Sequence, residues 1–214
     1  MGHYCYDLYR RVATDHAMIT NFRHPATRVL SLYNYFRHAV PDTPQTRRDE
    51  IYFAVRLAKA VDFPEFVMSD DDRVTTYIED HHFRQLAGCG WFLSVQRDFD
   101  DVCDLIDRMA WFYVCEYPLL SVRWGRSVLG TREFDIRAAN VTPEGPHVTA
   151  SVLGISDRAF DRILDLNQRD LPIYSHGVAR FFSEIRDLSR SCDGRWRATK
   201  ADESGSDMRH SGAG

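Results

Sequence analysis

An arginine closing an apolar run and a serine eight residues further on can converge on a single anion. In residues 20–38 (TNFRHPATRVLSLYNYFRH) these are Arg23 and Ser31, with Arg28 between them. The guanidinium fork gives bidentate charge-assisted hydrogen bonds and the hydroxyl adds a neutral donor. A second candidate stretch is Asp80-His81-His82-Phe83-Arg84-Gln85-Leu86-Ala87-Gly88. Arg84 there suits a sulfate or a carboxylate, or equally an i,i+4 ion pair with Asp80 on a helix surface. His81 and His82 face different ways on a helix and have no further ligands nearby, which argues against a metal pair. Glu116, after the run Trp111 to Val114, reads by itself as a solvated or salt-bridged glutamate.

The elements that position these residues follow from periodicity and turn chemistry. Ala17 to Phe22 reads as a short buried strand, Pro25 as the turn, and Pro25 to Val40 as a helix with Val29, Leu30, Tyr33 and Phe36 on one face. Arg23 then stands at the carboxyl end of a strand, where open α/β sheets bind ligands. Residues 4 to 13 read as a helix, and Pro41 to Arg48 as a polar loop. Residues 49 to 61 give a helix with Ile51, Ala54, Val55, Ala58 and Val61 inward, then Phe63 to Ser69 a helical turn. Val74 to Leu86 reads as one helix ending near Gly88, and Asp98 to Ala110 as an amphipathic helix. Trp111 to Val114 reads as a strand and Pro118 to Leu129 as a helix. Thr131 to Pro146 reads as a loop. Ser156 is a candidate N-cap for a helix to Asn167, and Leu171 to Leu188 forms another. Alternating helices and short apolar strands predict an α/β protein with a helix-rich periphery.

The segment Arg23-His24-Pro25-Ala26-Thr27-Arg28-Val29-Leu30-Ser31-Leu32-Tyr33 resembles the 3′-phosphate-binding segment of PAPS-dependent sulfotransferases, nearest to the carbohydrate (heparan sulfate and uronosyl 2-O) type and its bacterial relatives. There the histidine of His24 replaces the aspartate or lysine common in the family. The resemblance implies that Arg23 and Ser31 hold the 3′-phosphate of the sulfate donor, with Arg28 assisting. Gly2-His3-Tyr4 resembles the Gly-His segment that carries the family's catalytic base, so His3 is the implied base; histidine suits that task near neutral pH. Arg84, Leu86 and Gly88 match a bacterial cleft-lining segment, which implies a substrate or donor contact for Arg84. Phe112 to Tyr117 resembles a later strand, Asn140-Val-Thr-Pro143 a loop after it, and Asn167-x-x-Asp170-x-x-x-Tyr174 a C-terminal helical segment read as packing.

By this resemblance the fold class is α/β, a P-loop-NTPase-like sulfotransferase three-layer fold, helix-rich and N-terminally truncated. Residues 1–188 form the sulfotransferase-like domain, incomplete at its N-terminus, and 189–214 a disordered tail rich in Ser, Gly and charge. The family's Pro-Lys-x-Gly-Thr-Ser loop, which wraps the 5′-phosphosulfate with backbone N–H groups, has no counterpart in the sequence. The implied function is transfer of a sulfuryl group from PAPS to a hydroxyl of a carbohydrate or similar acceptor, without a metal. The alternatives are an inactive remnant that binds a nucleotide 3′-phosphate or a glycan, and a helical interaction protein whose arginines are solvated surface.

Composition constrains these readings. A chain of 214 residues with 44% hydrophobic and 27% charged content is ordinary for one globular domain, and a net charge of −4 argues against a general nucleic-acid binder. Lys59 and Lys200 are the only lysines, an arginine bias that a GC-rich genome explains as readily as anion recognition. Cys5, Cys89, Cys103, Cys115 and Cys192 make no CxxC pair and read as free thiols of a cytoplasmic protein. No apolar run approaches the roughly 18 residues of a membrane span, and no signal peptide opens the chain.

Overall fold

The structure, a computed structural model, describes residues 19–88, 97–131 and 155–206, with side chains described as far as 190. His3, the helix expected over 4–13, and the loop with Asn140 lie outside the described residues. What is described is helix-rich, with one small parallel sheet, an α/β arrangement in the broad sense.

Strand β1 (Ile19–Phe22) pairs in parallel with β2 (Trp111–Val114), in a register that sets Ile19 beside Trp111 and Phe22 beside Val114. The Cys115 N–H extends the ladder by donating to the Phe22 carbonyl at 2.9 Å. Trp111, Phe112 and Val114 are buried, as expected of a near-continuous apolar run in a covered parallel strand. Phe22 meets Phe112 edge to face with centroids 4.9 Å apart, and Phe112 meets Trp124 in the same way at 4.9 Å. This geometry favours the aromatic quadrupole beyond simple burial.

The helices between and after the strands are α1 (Pro25–Asn34), α2 (Pro44–Arg48), α3 (Phe53–Ala60), α4 (Phe63–Val67), α5 (Asp72–Ile78), α6 (His81–Ala87), α7 (Phe99–Arg108), α8 (Pro118–Leu129), α9 (Asp157–Leu166) and α10 (Asp170–Ser206). Helix α1 runs on into a π-helical turn, Tyr35–Ala39. Ser156 caps α9 by accepting from the Ala159 N–H at 3.4 Å. Helix α10 continues past position 188, where the sequence reading ends the domain, into the stretch expected as a disordered tail.

Three local expectations change. Helix α2 forms inside the stretch expected as a loop. Thr43 accepts from the Thr46 N–H at 3.1 Å while Thr46 Oγ1 accepts from the Thr43 N–H at 2.8 Å. Pro44 occupies the first helical position, where its missing N–H costs nothing. Ile51, expected inward, is 63% exposed, because the chain enters α3 through a 3₁₀ turn at Glu50–Tyr52 that shifts the angular phase. The single helix expected from Val74 to Leu86 is two, α5 and α6, broken at Glu79 and Asp80. Asp80 has φ 37°, in the left-handed region.

Two apolar clusters result. One gathers Phe22, Phe83, Leu105, Ile106, Phe112, Trp124 and Phe181 around the sheet, α6, α7, α8 and α10. The other gathers Val29, Tyr33, Phe66, Val74, Ile78 and Ile163 among α1, α3, α4, α5 and α9. The chain passes between them at the β1–α1, α5–α6 and α9–α10 junctions. Gly177 on α10 is buried against Phe22: a Cβ there would stand 3.4 Å from the ring, so its absence lets the long helix lie close to β1.

Phe22 is fully buried at the centre of the first cluster. Phe22→Ala is expected to lower stability by about 3–5 kcal/mol, read as a lower urea midpoint. A loss below about 1 kcal/mol would contradict this packing.

Candidate functional site

The chain leaves β1 through Arg23 and His24 and leaves β2 through Cys115 and Glu116, so these four residues share the carboxyl end of the sheet. The Glu116 Oε1 atom accepts from the His24 N–H at 2.8 Å and from the Thr27 hydroxyl at 2.9 Å. Glu116 thus supplies a carboxylate from the other strand to the positive N-terminal end of α1. Its Oε2 atom is buried and has no hydrogen-bond partner. His24 caps the same helix: its Nδ1 atom accepts from the Ala26 N–H at 3.2 Å, so the neutral ring carries its proton on Nε2. Burial holds the His24 pKa below its ordinary value, with the Glu116 charge opposing. Tyr174, from α10, meets the His24 ring edge-on at 5.4 Å. Burial, then the Glu116 charge, pushes the Tyr174 hydroxyl up. Burial also pushes up the Cys115 thiol, against the pull of the neighbouring Arg23 guanidinium. Cys115 is therefore a thiol at neutral pH, without the thiolate that nucleophilic chemistry needs.

Arg23 is half-buried, and among the described residues no carboxylate forms an ion pair with it. Ser31 is half-buried one helical turn beyond Thr27, on the same side of α1. Along the chain, Arg23 precedes and Ser31 follows the end of α1 that Glu116 bonds.

Arg28 and Arg84 are placed elsewhere. Arg28 Nη1 donates to the Tyr77 carbonyl at 3.0 Å, and Nη2 donates to the Ile78 carbonyl and, at 3.4 Å, to Asn167 Oδ1. Arg84 donates to the Thr76 carbonyl. The last three carbonyls of α5 are therefore satisfied by two guanidiniums, at the end of the helix where cations are favoured. Arg28, assigned from sequence to assist at the phosphate, is engaged at this helix terminus. Burial draws its pKa down to about 10, with Asp170 opposing and Arg84 adding, so it remains charged at neutral pH. For Arg84, the surface pair with Asp80 gives way to a helix-terminus bond; the partner of the Asp80 carboxylate is Arg169, 3.8 Å away.

Around Arg28 two helix starts exchange carboxylates. Asp80, at the N-terminus of α6, accepts from the N–H groups of Arg169 at 3.0 Å and Asp170 at 3.2 Å, at the start of α10. Asp170 returns the interaction, accepting from the N–H groups of His82 at 3.1 Å and Phe83 at 2.8 Å. Each helix is capped by the other's first acid, and each cap of this kind contributes about 0.5–2 kcal/mol. Asn167 adds a bond from Nδ2 to the Ile163 carbonyl at 2.8 Å. His82 is sealed between this group and Phe22, its Nδ1 atom without a partner and 3.8 Å from Asp170 Oδ2. Burial, with Arg28 and Arg23 adding, holds its pKa down at about 3. Among the described residues no group of three or more His, Cys, Asp or Glu side chains is arranged to hold a metal, and no helix is long and apolar enough to cross a membrane.

The structure thus sets Arg23 at the strand ends against Cys115, the residue before Glu116, leaves Ser31 one turn beyond Thr27 on α1, and gathers Arg28 with Arg84 around a different, structural centre. Glu116 as the acceptor for His24 and Thr27 at the start of α1, and Asp170 with Asn167 as polar groups of the second centre, were not assigned these roles from sequence. The spacing Asn167-x-x-Asp170-x-x-x-Tyr174 was the available signal, and it links the two centres. No protein-family model and no curated protein matches the chain.

His82 is neutral when buried and charges below its ordinary pKa of 6.5 when the chain unfolds. A histidine with a depressed folded pKa contributes stability that is fully present above 6.5 and is lost as pH falls through the window from 6.5 to about 3. The loss is expected to reach about 1.4 kcal/mol per pH unit at most. Melting curves across that window should show His82→Phe with a flatter decline than the parent; parallel declines would remove His82 from the acid response.

Proposed function

We propose that this chain is a sulfotransferase-family protein that binds PAPS and moves its sulfuryl group to a hydroxyl of a carbohydrate or similar acceptor. The observation that carries the reading is Arg23: a guanidinium at the carboxyl end of a parallel strand, without a carboxylate partner among the described residues, followed by the Ser31 hydroxyl on the next helix. That pair suits a phosphate monoester, which takes a bidentate arginine and a neutral donor together. The sheet reads, on this proposal, as part of a three-layer P-loop-like frame. His3 is the base that takes the acceptor proton as the sulfur–oxygen bond to the acceptor forms and the bond to the donor phosphate breaks. Arg84 is the acceptor or donor contact, using donors other than the one bonded to Thr76. Arg28 acts through the fold. No metal is required, since arginine and hydroxyl donors meet the donor's charge. A cytoplasmic protein with free thiols fits the free Cys103 and Cys115.

A second reading, nucleotide 3′-phosphate binding without transfer, rests on the same Arg23 and Ser31. It asks nothing of His3.

Calorimetric titration with 3′-phosphoadenosine 5′-phosphate tests both. Arg23→Ala is expected to weaken binding by about tenfold to a hundredfold, and Ser31→Ala by about tenfold or less. Transfer from ³⁵S-labelled donor to a glycan is expected to fall by about 10²–10⁴ in His3→Ala. Binding without transfer selects the second reading. Nucleotide affinity that is absent, or indifferent to both site substitutions, overturns the proposal.

A further inference from the structure

An anion held by Arg23 and Ser31 meets an anion that is already there. Thr27 stands one turn before Ser31 on the same side of α1, and its hydroxyl, together with the His24 N–H, donates to Glu116 Oε1. These are donors that a phosphate at this helix end would use. Glu116 is not neutralised by an ion pair: among the described residues no arginine, lysine or histidine lies within salt-bridge distance of it, and Oε2 is sealed without a partner. The Glu116 carboxylate therefore holds this helix end with hydrogen bonds alone, without a cationic partner among the described residues. Its neighbour in the chain, Cys115, is bonded by the Arg23 side chain.

We infer that Glu116 is a built-in competitor for the anion subsite, a carboxylate that occupies the N-terminus of α1 in the free protein and lowers affinity for dianionic ligands. This rests on the proposed 3′-phosphate reading and names the residue that sets its selectivity. A monoester dianion entering the subsite must overcome repulsion from a carboxylate at the same helix end or draw the Glu116 side chain off its two donors. A ligand of low charge meets neither barrier. Glu116 in this role is a specificity residue that discriminates by charge.

The test uses the charge at position 116. Glu116→Gln keeps an oxygen that accepts from His24 and Thr27, removes the charge and offers an N–H to the ligand. It is expected to bind 3′-phosphoadenosine 5′-phosphate on the order of tenfold to a hundredfold more tightly than the parent chain, as the loss of one like charge at this range implies. Adenosine, which lacks the phosphates, should show no such gain. Glu116→Asp keeps the charge but withdraws it by one methylene, so its gain should be smaller than that of Glu116→Gln. If Glu116→Gln does not fold, a gain in Glu116→Asp still supports the inference, and equal or weaker binding overturns it. Weaker binding in Glu116→Gln means instead that Glu116 accepts a hydroxyl of the ligand, and the inference fails. If the parent binds in an Arg23-dependent way but Glu116→Gln gains nothing, this inference falls and the phosphate site stands. If neither protein binds the nucleotide, both fall.

Discussion

Two buried carboxylates, each capping the helix that carries the other, hold this fold together. Asp80 accepts from the start of α10 and Asp170 from the start of α6, across 87 to 90 residues of chain. The chain runs between its two apolar clusters close to this point, through α5–α6 and again through α9–α10. At such crossings the helices end and expose N–H and C=O groups that water cannot reach, and each left unpaired would cost about 1–3 kcal/mol. The exchange of carboxylates answers the N–H groups. Arg28 and Arg84 answer the carbonyls of α5. Arg28 also balances the Asp170 charge. Losing one partner of such a buried set leaves the rest uncompensated, which is far more costly than the set is stabilising. The left-handed backbone at Asp80 belongs to the same constraint, because it breaks what would otherwise be one helix and turns its acid toward α10.

The use of arginine follows from this. Arg180 donates to the Ile106 and Met109 carbonyls at the end of α7, and Arg37 to the Ala58 and Val61 carbonyls at the end of α3. A fold of many short helices has many C-termini to satisfy, and a planar fork reaches two carbonyls at once. An arginine-rich composition is therefore no sign of anion binding in itself. What distinguishes Arg23 is its place at the strand ends, beside a helix N-terminus, where among the described residues it donates to no helix-end carbonyl. The functional proposal stands on that contrast.

The strand-end cluster has a different character from the structural centre. It combines a histidine whose Nδ1 accepts from a backbone N–H, a thiol, a phenol, a carboxylate and an arginine without a carboxylate partner among the described residues. Incomplete pairing is shared by the structural centre, where His82 Nδ1 and Arg28 Nε also lack partners; what sets the strand-end cluster apart is its place at the carboxyl ends of both strands. Helix α10 joins the two: Asp170 at its start belongs to the structural centre and Tyr174, one turn on, to the strand-end cluster.

The sequence by itself determined what is local. Both strands announce themselves as aromatic and β-branched runs, the Ser156 cap as a side chain ahead of an amphipathic stretch, and the end of α6 as Gly88, which takes the left-handed conformation. Arg23 at a strand end was legible for the same reason. The tertiary structure decided everything that depends on partners distant in the chain. Val74 to Leu86 has unbroken helical periodicity, and only the capping partner at Asp170 explains its break. Ile51 looks apolar and inward until the 3₁₀ turn sets its phase. Arg28 has the spacing of an anion ligand, yet its partners lie 49, 50 and 139 residues away. Periodicity and turn chemistry report interactions within a few residues. The choice of partner for a buried charge or an open helix end is made by packing, which no short window of sequence contains.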